Sequence, residues 1–343
     1  MKRPLFRRVL CAAAMACSAP LASIPASAQE VNLYTTREPG LMQPLIDSFT
    51  KATGIRVNSI FVKDGLAERV AAEGAKSPAD ILMTVDIGNL IDLTDKGLTQ
   101  RVRSAALERA VPANLRGAGG EWFTLSLRAR VAYVETDLSL RAVTYEELAD
   151  PVWKGRICIR SGQHPYNTAL VAAHIAHHGE AKTEAWLRGI KANLARKATG
   201  GDRDVARDIM GGICDIGLAN SYYVGLMRSG AGGPDQQKWA AAMKVLLPTF
   251  AGGGTHVNVS GASVAAHAPN RAAAIRFLEY LVSNEAQQIY AEANFEFPVK
   301  AGAGLHPLIA AMGTLTVDAI SLADVARHRA AASRLVDKVG FDN

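Results

Sequence analysis

Apolar and polar positions along the chain follow one grammar that is used four times. A short apolar run of strand length gives way to a polar or small-residue junction, and a stretch with apolar residues at helical spacing follows. The first instance is VNLYTTREPGLMQPLIDSFTKATG, with a strand near Val31 to Thr35 and a helix closed by Gly54. ADILMTVDIGNLIDLTDKG, closed by Gly97, is the second, and GRICIRSGQHPYNTALVAAHIAHHG, closed by Gly179, is the third. The fourth, CDIGLANSYYVGLMRSG, puts Asp215 to Ala219 in a buried strand and offers Asn220 and Ser221 as N-cap residues. Strands alternating with helices at this spacing predict an α/β fold of mostly parallel sheets flanked by helices. Farther on, FAGGGTHVNVSGASVAAHAPN suits a crossover followed by a strand. HAPNRAAAIRFLEYLVSNEAQQIYAEA is strongly helical, with Tyr280 and Tyr290 as core or interface residues, and LADVARHRAAASRLVDKVGF predicts an amphipathic C-terminal helix.

In such sheets ligands bind beyond the carboxyl ends of the strands, where these junctions lie. Tyr166 sits in the third junction, just before the candidate cap Asn167, and Tyr222 and Tyr223 sit side by side in the fourth. An adjacent tyrosine pair is usually packing, but two junctions converging on the same residue type favour a site. His174, His177 and His178 invite a metal reading because positions 174 and 178 share a helix face; the competing expectation is that they meet the last carbonyls of a helix ending at Gly179.

Charge and cysteines refine this picture. The first 28 residues carry a basic start, an apolar stretch and the small-residue site Ala26-Ser27-Ala28, which marks a secretory signal peptide. Cleavage near Ala28 leaves 315 of the 343 residues, enough for two lobes. Losing Lys2, Arg3, Arg7 and Arg8 lowers the formal charge from +6 to +2. No basic run with interleaved aromatics is left, so neither nucleic acid nor membrane insertion is expected. Cys158 and Cys214 are the two cysteines of the mature chain, and by themselves they fit either a disulfide or buried thiols. There is no G-x-S-x-G elbow and no H-E-x-x-H pair, and neither cysteine has an obvious catalytic histidine nearby in sequence, so an exported hydrolase is the weaker alternative.

The segments SPADILMTVD at 77–86, LSLRARVAY at 125–133, LADPVWKGRICIRS at 148–161, LANSYY at 218–223, GTHVNVSGA at 254–262 and NFEFPV at 294–299 resemble, in this order, the periplasmic ferric-iron-binding proteins that serve ABC importers. The resemblance spans essentially the whole mature chain. It implies a two-lobed, class II solute-binding fold with the ligand cleft between lobes. Lobe 1 is expected over 29–127 and 252–300, and lobe 2 over 128–251 and 301–343. It further implies a periplasmic monomer that binds Fe³⁺ without turnover and delivers it to an ABC permease in the inner membrane. A carrier of a ferric chelate or small organic anion is the alternative.

The family's iron-binding tyrosines fall on Tyr166, Tyr222 and Tyr223. Their chemistry suits the metal, because a hard trivalent cation favours anionic oxygen and lowers the pKa of a phenol that coordinates it. Three phenolates balance the +3 charge. The first junction departs from the family pattern: TTREPG has Arg37, Glu38 and Pro39 where many relatives carry a His-Tyr ligand pair. Glu38 is either a carboxylate ligand or a residue at the start of the following helix. Arg37 and Arg128 are candidates to hold carbonate or another small anion beside the metal. The resemblance also places Cys158 and Cys214 at strands of the second lobe, where an oxidising compartment permits a disulfide.

Overall fold

A computed structural model describes Met1 and residues 30–343; the signal peptide expected over 1–28, with its cleavage site near Ala28, otherwise lies outside the described residues. The described residues form ten strands, in chain order: β1 Glu30–Thr35, β2 Arg56–Phe61, β3 Ile81–Thr84, β4 Thr99–Gln100, β5 Phe123–Glu135, β6 Ile157–Cys158, β7 Ile216–Asn220, β8 Met243–Leu246, β9 Val257–Ala265 and β10 Phe297–Pro298. They pair in the order β2-β1-β3-β9-β5-β7-β6, with β4 on β9 and β8 and β10 on β5.

The α/β class holds, but the expectation of mostly parallel sheets needs correcting. Among these ten strands, parallel ladders join only β1 with β2 and β3, and β6 with β7, where helices make the crossover between the paired strands. β5 and β9 run antiparallel to each other and to their other partners. An apolar run gives burial but not direction, so these two long strands could not be oriented from their pattern. All nine residues of β9 are buried, as are the first twelve of β5.

β5 changes neighbours midway. Phe123 to Ala129 pairs with β9, while Arg130 to Glu135 pairs with β7 and β8. One strand therefore serves both halves of the sheet. The stretch 247–256 returns the chain from β8 to β9, where the glycine-rich run suggested a crossover.

The helix starts and stops follow their local chemistry. Pro39–Thr53 ends on Gly54, whose φ of 72° is the left-handed conformation that glycine adopts at least cost. Two segments expected as single helices are each divided. The 270–294 stretch forms Arg271–Leu281 and Asn284–Asn294, because Ser283 caps the second helix by accepting from the Ala286 N–H. Likewise Ser321 caps Leu322–Arg327, and Arg329–Val339 follows after His328. Helical periodicity carries through these short breaks, so it hid them. Cys158 and Cys214, 56 positions apart in sequence, are joined by a disulfide, with Cα atoms 5.8 Å apart. The bond fastens β6 to the entrance of β7.

Candidate metal centre

Tyr166 is the second residue of the helix Pro165–His178. Asn167 does not cap this helix as its position suggested; His164 does, its Nδ1 accepting from the Tyr166 N–H at 3.2 Å. The His164 ring also meets the Tyr166 ring edge-on, with centroids 4.5 Å apart. Asn167 is buried and accepts from Arg130 Nη2 at 2.6 Å.

Tyr222 and Tyr223 are the first two residues of the helix Tyr222–Arg228. Ser221 precedes them at the cap position, yet its hydroxyl is directed to β5, where it accepts from the Ala129 N–H at 3.1 Å. The Ser221 N–H donates to Ala129 O at 2.9 Å, so this junction is pinned to β5 from both sides. The two rings lie with centroids 4.1 Å apart, and the Tyr222 hydroxyl is 3.4 Å from that of Tyr166. The structure thus brings the three tyrosines of two separate junctions together.

A buried network fixes both junctions from beneath. Arg130 Nη1 donates to Asp202 Oδ2 at 2.7 Å and to Asn220 Oδ1 at 3.1 Å. Asp202 in turn accepts from the Asn220 N–H at 2.7 Å and from Arg160 Nη1 at 3.2 Å. Through Asn167 and Asn220, one guanidinium holds the residue after Tyr166 and the residue two before Tyr222. Arg130 and Asp202 are each 1 % exposed, and breaking such a pair by removing one partner costs about 3–5 kcal/mol. Rigid support of this kind keeps ligand atoms in place before a metal arrives.

Burial raises the Tyr222 phenol well above its ordinary pKa; Tyr166 and Tyr223 add to the rise, and Arg128 opposes it. Burial also raises Tyr223, against the hydrogen bond it shares with Tyr222. These two phenols are neutral at physiological pH until something with positive charge displaces their protons. The Arg128 and Arg160 guanidiniums stand 5.8 and 5.2 Å from the Tyr166 ring centre, and Arg203 stands 5.6 Å from that of Tyr223. The wall of the site is cationic.

Arg37 has a partner that the sequence reading missed. Its Nη2 donates to Glu296 Oε1 at 2.8 Å and Oε2 at 3.1 Å, and also to the Ser260 hydroxyl. Burial works against the Glu296 carboxylate, but Arg37 and then Arg128 outweigh it and hold it below the usual carboxylate range. The signal was present in NFEFPV, where one acid stands inside an apolar run. Arg128 Nη2 donates to Val259 O at 2.8 Å and to Val85 O. Both arginines leave Nε–H buried and unpartnered among the described residues. Glu38 is exposed at the N-cap position of Pro39–Thr53 and makes no side-chain capping bond.

The three histidines do not meet the last carbonyls of their helix. His174 Nδ1 pairs with Thr183 Oγ1 at 2.8 Å, His177 Nε2 with Asp318 at 2.8 Å, and His178 Nε2 with Glu146 at 2.6 Å. The Gly179 N–H, donating to Ile175 O, ends the helix instead.

Residues 76–311 match the model of the bacterial extracellular solute-binding protein family. Iron uptake protein A1 of Synechocystis sp. is 42 % identical over 94 % of this chain and 90 % of its own length. Among solved structures, the Bordetella ferric binding protein shares 66 % identity and a TM-score of 0.90, covering 92 % of this chain and all of its own. A Trichodesmium protein in complex with iron and citrate ligands shares 42 % identity and a TM-score of 0.87, over 91 % of this chain and 99 % of its own. These likenesses make the fold a two-lobed α/β solute-binding fold. With a family match over most of the sequence and relatives this similar along nearly all of it, the chain belongs to the bacterial extracellular solute-binding proteins.

Proposed function

We propose that this protein carries ferric iron, bound without turnover in the periplasm, to an ABC permease in the inner membrane. The observation that carries the reading is the convergence of three phenols, with the Tyr166 and Tyr222 hydroxyls 3.4 Å apart and the Tyr223 ring tilted beside that of Tyr222, centroids 4.1 Å apart. Relatives named for iron uptake and ferric-iron binding support it. In this reading Tyr166, Tyr222 and Tyr223 bind Fe³⁺ as phenolates, the ion supplying the positive charge that their ionisation requires. The cleft lies between a lobe of 29–127 with 252–300 and a lobe of 128–251 with 301–343. The change of β5 partners between Ala129 and Arg130 supports that division.

Iron prefers six donors, so three phenolates leave room for others. Carbonate or a small carboxylate held by Arg37 and Arg128, whose Nε–H groups are buried and unpartnered among the described residues, is the auxiliary donor in this reading, and exposed Glu38 is the competing protein ligand. The carrier acts as a monomer. Titrating metal-stripped protein with Fe³⁺ and with anaerobic Fe²⁺, while recording visible absorbance, tests the metal and its ligands together. Stoichiometric Fe³⁺ binding with a phenolate charge-transfer band is expected. A colourless complex, or preference for Fe²⁺, would defeat the assignment.

A further inference from the structure

At the other end of the helix Pro165–His178, His174 and His178 meet Glu146, which begins the short 3₁₀ helix Glu146–Ala149. One donor atom from each residue lies within 4.8 Å of the other two. The neighbours of His174 fix its tautomer. Thr183 Oγ1 donates its only proton to Gly179 O at 2.8 Å, so it must accept from His174 Nδ1–H. Nε2 of the neutral ring is then a lone pair with nothing to accept from. It has no partner among the described residues although His174 is only 2 % exposed. Stacking on Trp186, with centroids 4.3 Å apart and planes 18° from parallel, holds the ring in place.

We propose that Glu146, His174 and His178 form a second metal site, separate from the tyrosines, for a divalent cation of the zinc class. Two imidazoles and one carboxylate form a donor set that zinc takes readily, leaving a fourth position for water. The hydroxyl of Thr183 plays the part that outer partners play at such sites, orienting a ligating imidazole through its other nitrogen. The His178 and Glu146 side chains are 22 % and 25 % exposed, which gives the ion a way in from solvent. Its entry replaces the His178 to Glu146 hydrogen bond; the displaced proton moves to the other nitrogen of the same ring or to water. Glu146 also accepts from the Ala251 N–H, at 3.2 Å from each carboxylate oxygen. A bound ion would therefore tie the helix end and the Glu146 turn to the 247–256 crossover.

The test uses the full mature protein, stripped of metal and carrying Tyr222→Phe and Tyr223→Phe so that the tyrosine end is silent. It is titrated with Zn²⁺ against a chromogenic chelator, and with Co²⁺ to record visible ligand-field bands. One equivalent is expected to bind, at least tenfold more weakly in Glu146→Gln and in His178→Gln. His174→Ala would open a cavity beside Trp186 and confuse loss of a ligand with loss of fold. Thr183→Val therefore probes that residue, with an expected weakening of roughly tenfold to a hundredfold. Absence of stoichiometric zinc, or equal affinity in Glu146→Gln and His178→Gln, would overturn the proposal. So would loss of iron binding in His178→Gln made in the otherwise native chain, because the two sites would then not be separate.

Discussion

The two ends of the helix Pro165–His178 offer metals different chemistry. Its N-terminal end gathers phenols, which are neutral until a strongly charged ion ionises them, and surrounds them with arginines. Its C-terminal end gathers two imidazoles and a carboxylate, one imidazole presenting a lone pair before any ion arrives. In the proposed reading the first arrangement needs high cation charge to expel its protons, whereas the second gives up only the His178 to Glu146 hydrogen bond to a cation of moderate charge. Selectivity between hard and borderline metals can thus be divided between the ends of one helix, by donor type and by how the donors are held.

The largest way to break this contrast is Tyr222→Phe with Tyr223→Phe. Two candidate ligand oxygens go while ring volume stays, so iron affinity should fall by orders of magnitude, and zinc binding should not change. Tyr280→Phe, whose ring packs on Phe49, serves as the control and should leave iron affinity unaltered; undiminished iron uptake by the double variant would remove the tyrosines from the site.

Acidity sharpens the contrast next. The Tyr222 and Tyr223 phenols lie above their ordinary pKa in metal-free protein, so each proton that iron displaces must return as pH falls. Apparent iron affinity should drop by more than about one log unit per pH unit, because several phenols reprotonate together. Chelator competition between neutral and mildly acidic pH measures that slope, and a flat profile would rule out phenolate ligation.

Arg130→Met separates positioning from ligation. It leaves Asp202 buried without its main partner, at a cost of about 3–5 kcal/mol, and frees both tyrosine junctions. Iron affinity should decline and the melting temperature should fall by several degrees, while the proportion of zinc bound by folded protein is retained. Equal iron affinity in folded variant and parent would show that the network does not position the ligands.

Gly225→Ala acts from the back of the tyrosine helix. An added Cβ would stand 2.3 Å from Phe295 Cγ, and Phe295 already has a φ of 54° one residue before Glu296. A loss of about 1–3 kcal/mol is expected, with a modest shift in the iron charge-transfer band. Unaltered denaturation midpoint would mean that the two segments can move apart freely. The smallest effect expected is that of Arg128→Ala on anion dependence: the gain in iron affinity from added carbonate should shrink, and an equal gain in both proteins would place the anion elsewhere.

Much of this was legible in the chain because it depended on local chemistry. Gly54, Gly97 and Gly179 ended their helices as expected, and the order of motifs located the two tyrosine junctions. Strand direction was not legible, since β5 and β9 are buried on both faces and show no alternation to orient them. Nor was the pairing of Arg37 with Glu296, which joins residues 259 positions apart. Asn167 looked like a cap because its residue type suits one, but Arg130, unseen from 37 positions away, claimed its side chain. Glu146 illustrates the same limit: nothing near it in sequence announces two histidines that tertiary packing supplies.

β5 also bears on which changes of chain length the molecule tolerates. Arg128 and Arg130 are two residues apart, so strand alternation puts them on one side, where the first reaches Val85 and Val259 and the second reaches Asp202 and Asn167. Inserting a single residue between them would turn one guanidinium to the opposite face and slip every later pairing with β7 and β8 by one step. Length variation among descendants of this chain should therefore collect in the loops flanking β5, and a one-residue insertion within it should survive only with a bulge that restores the phase.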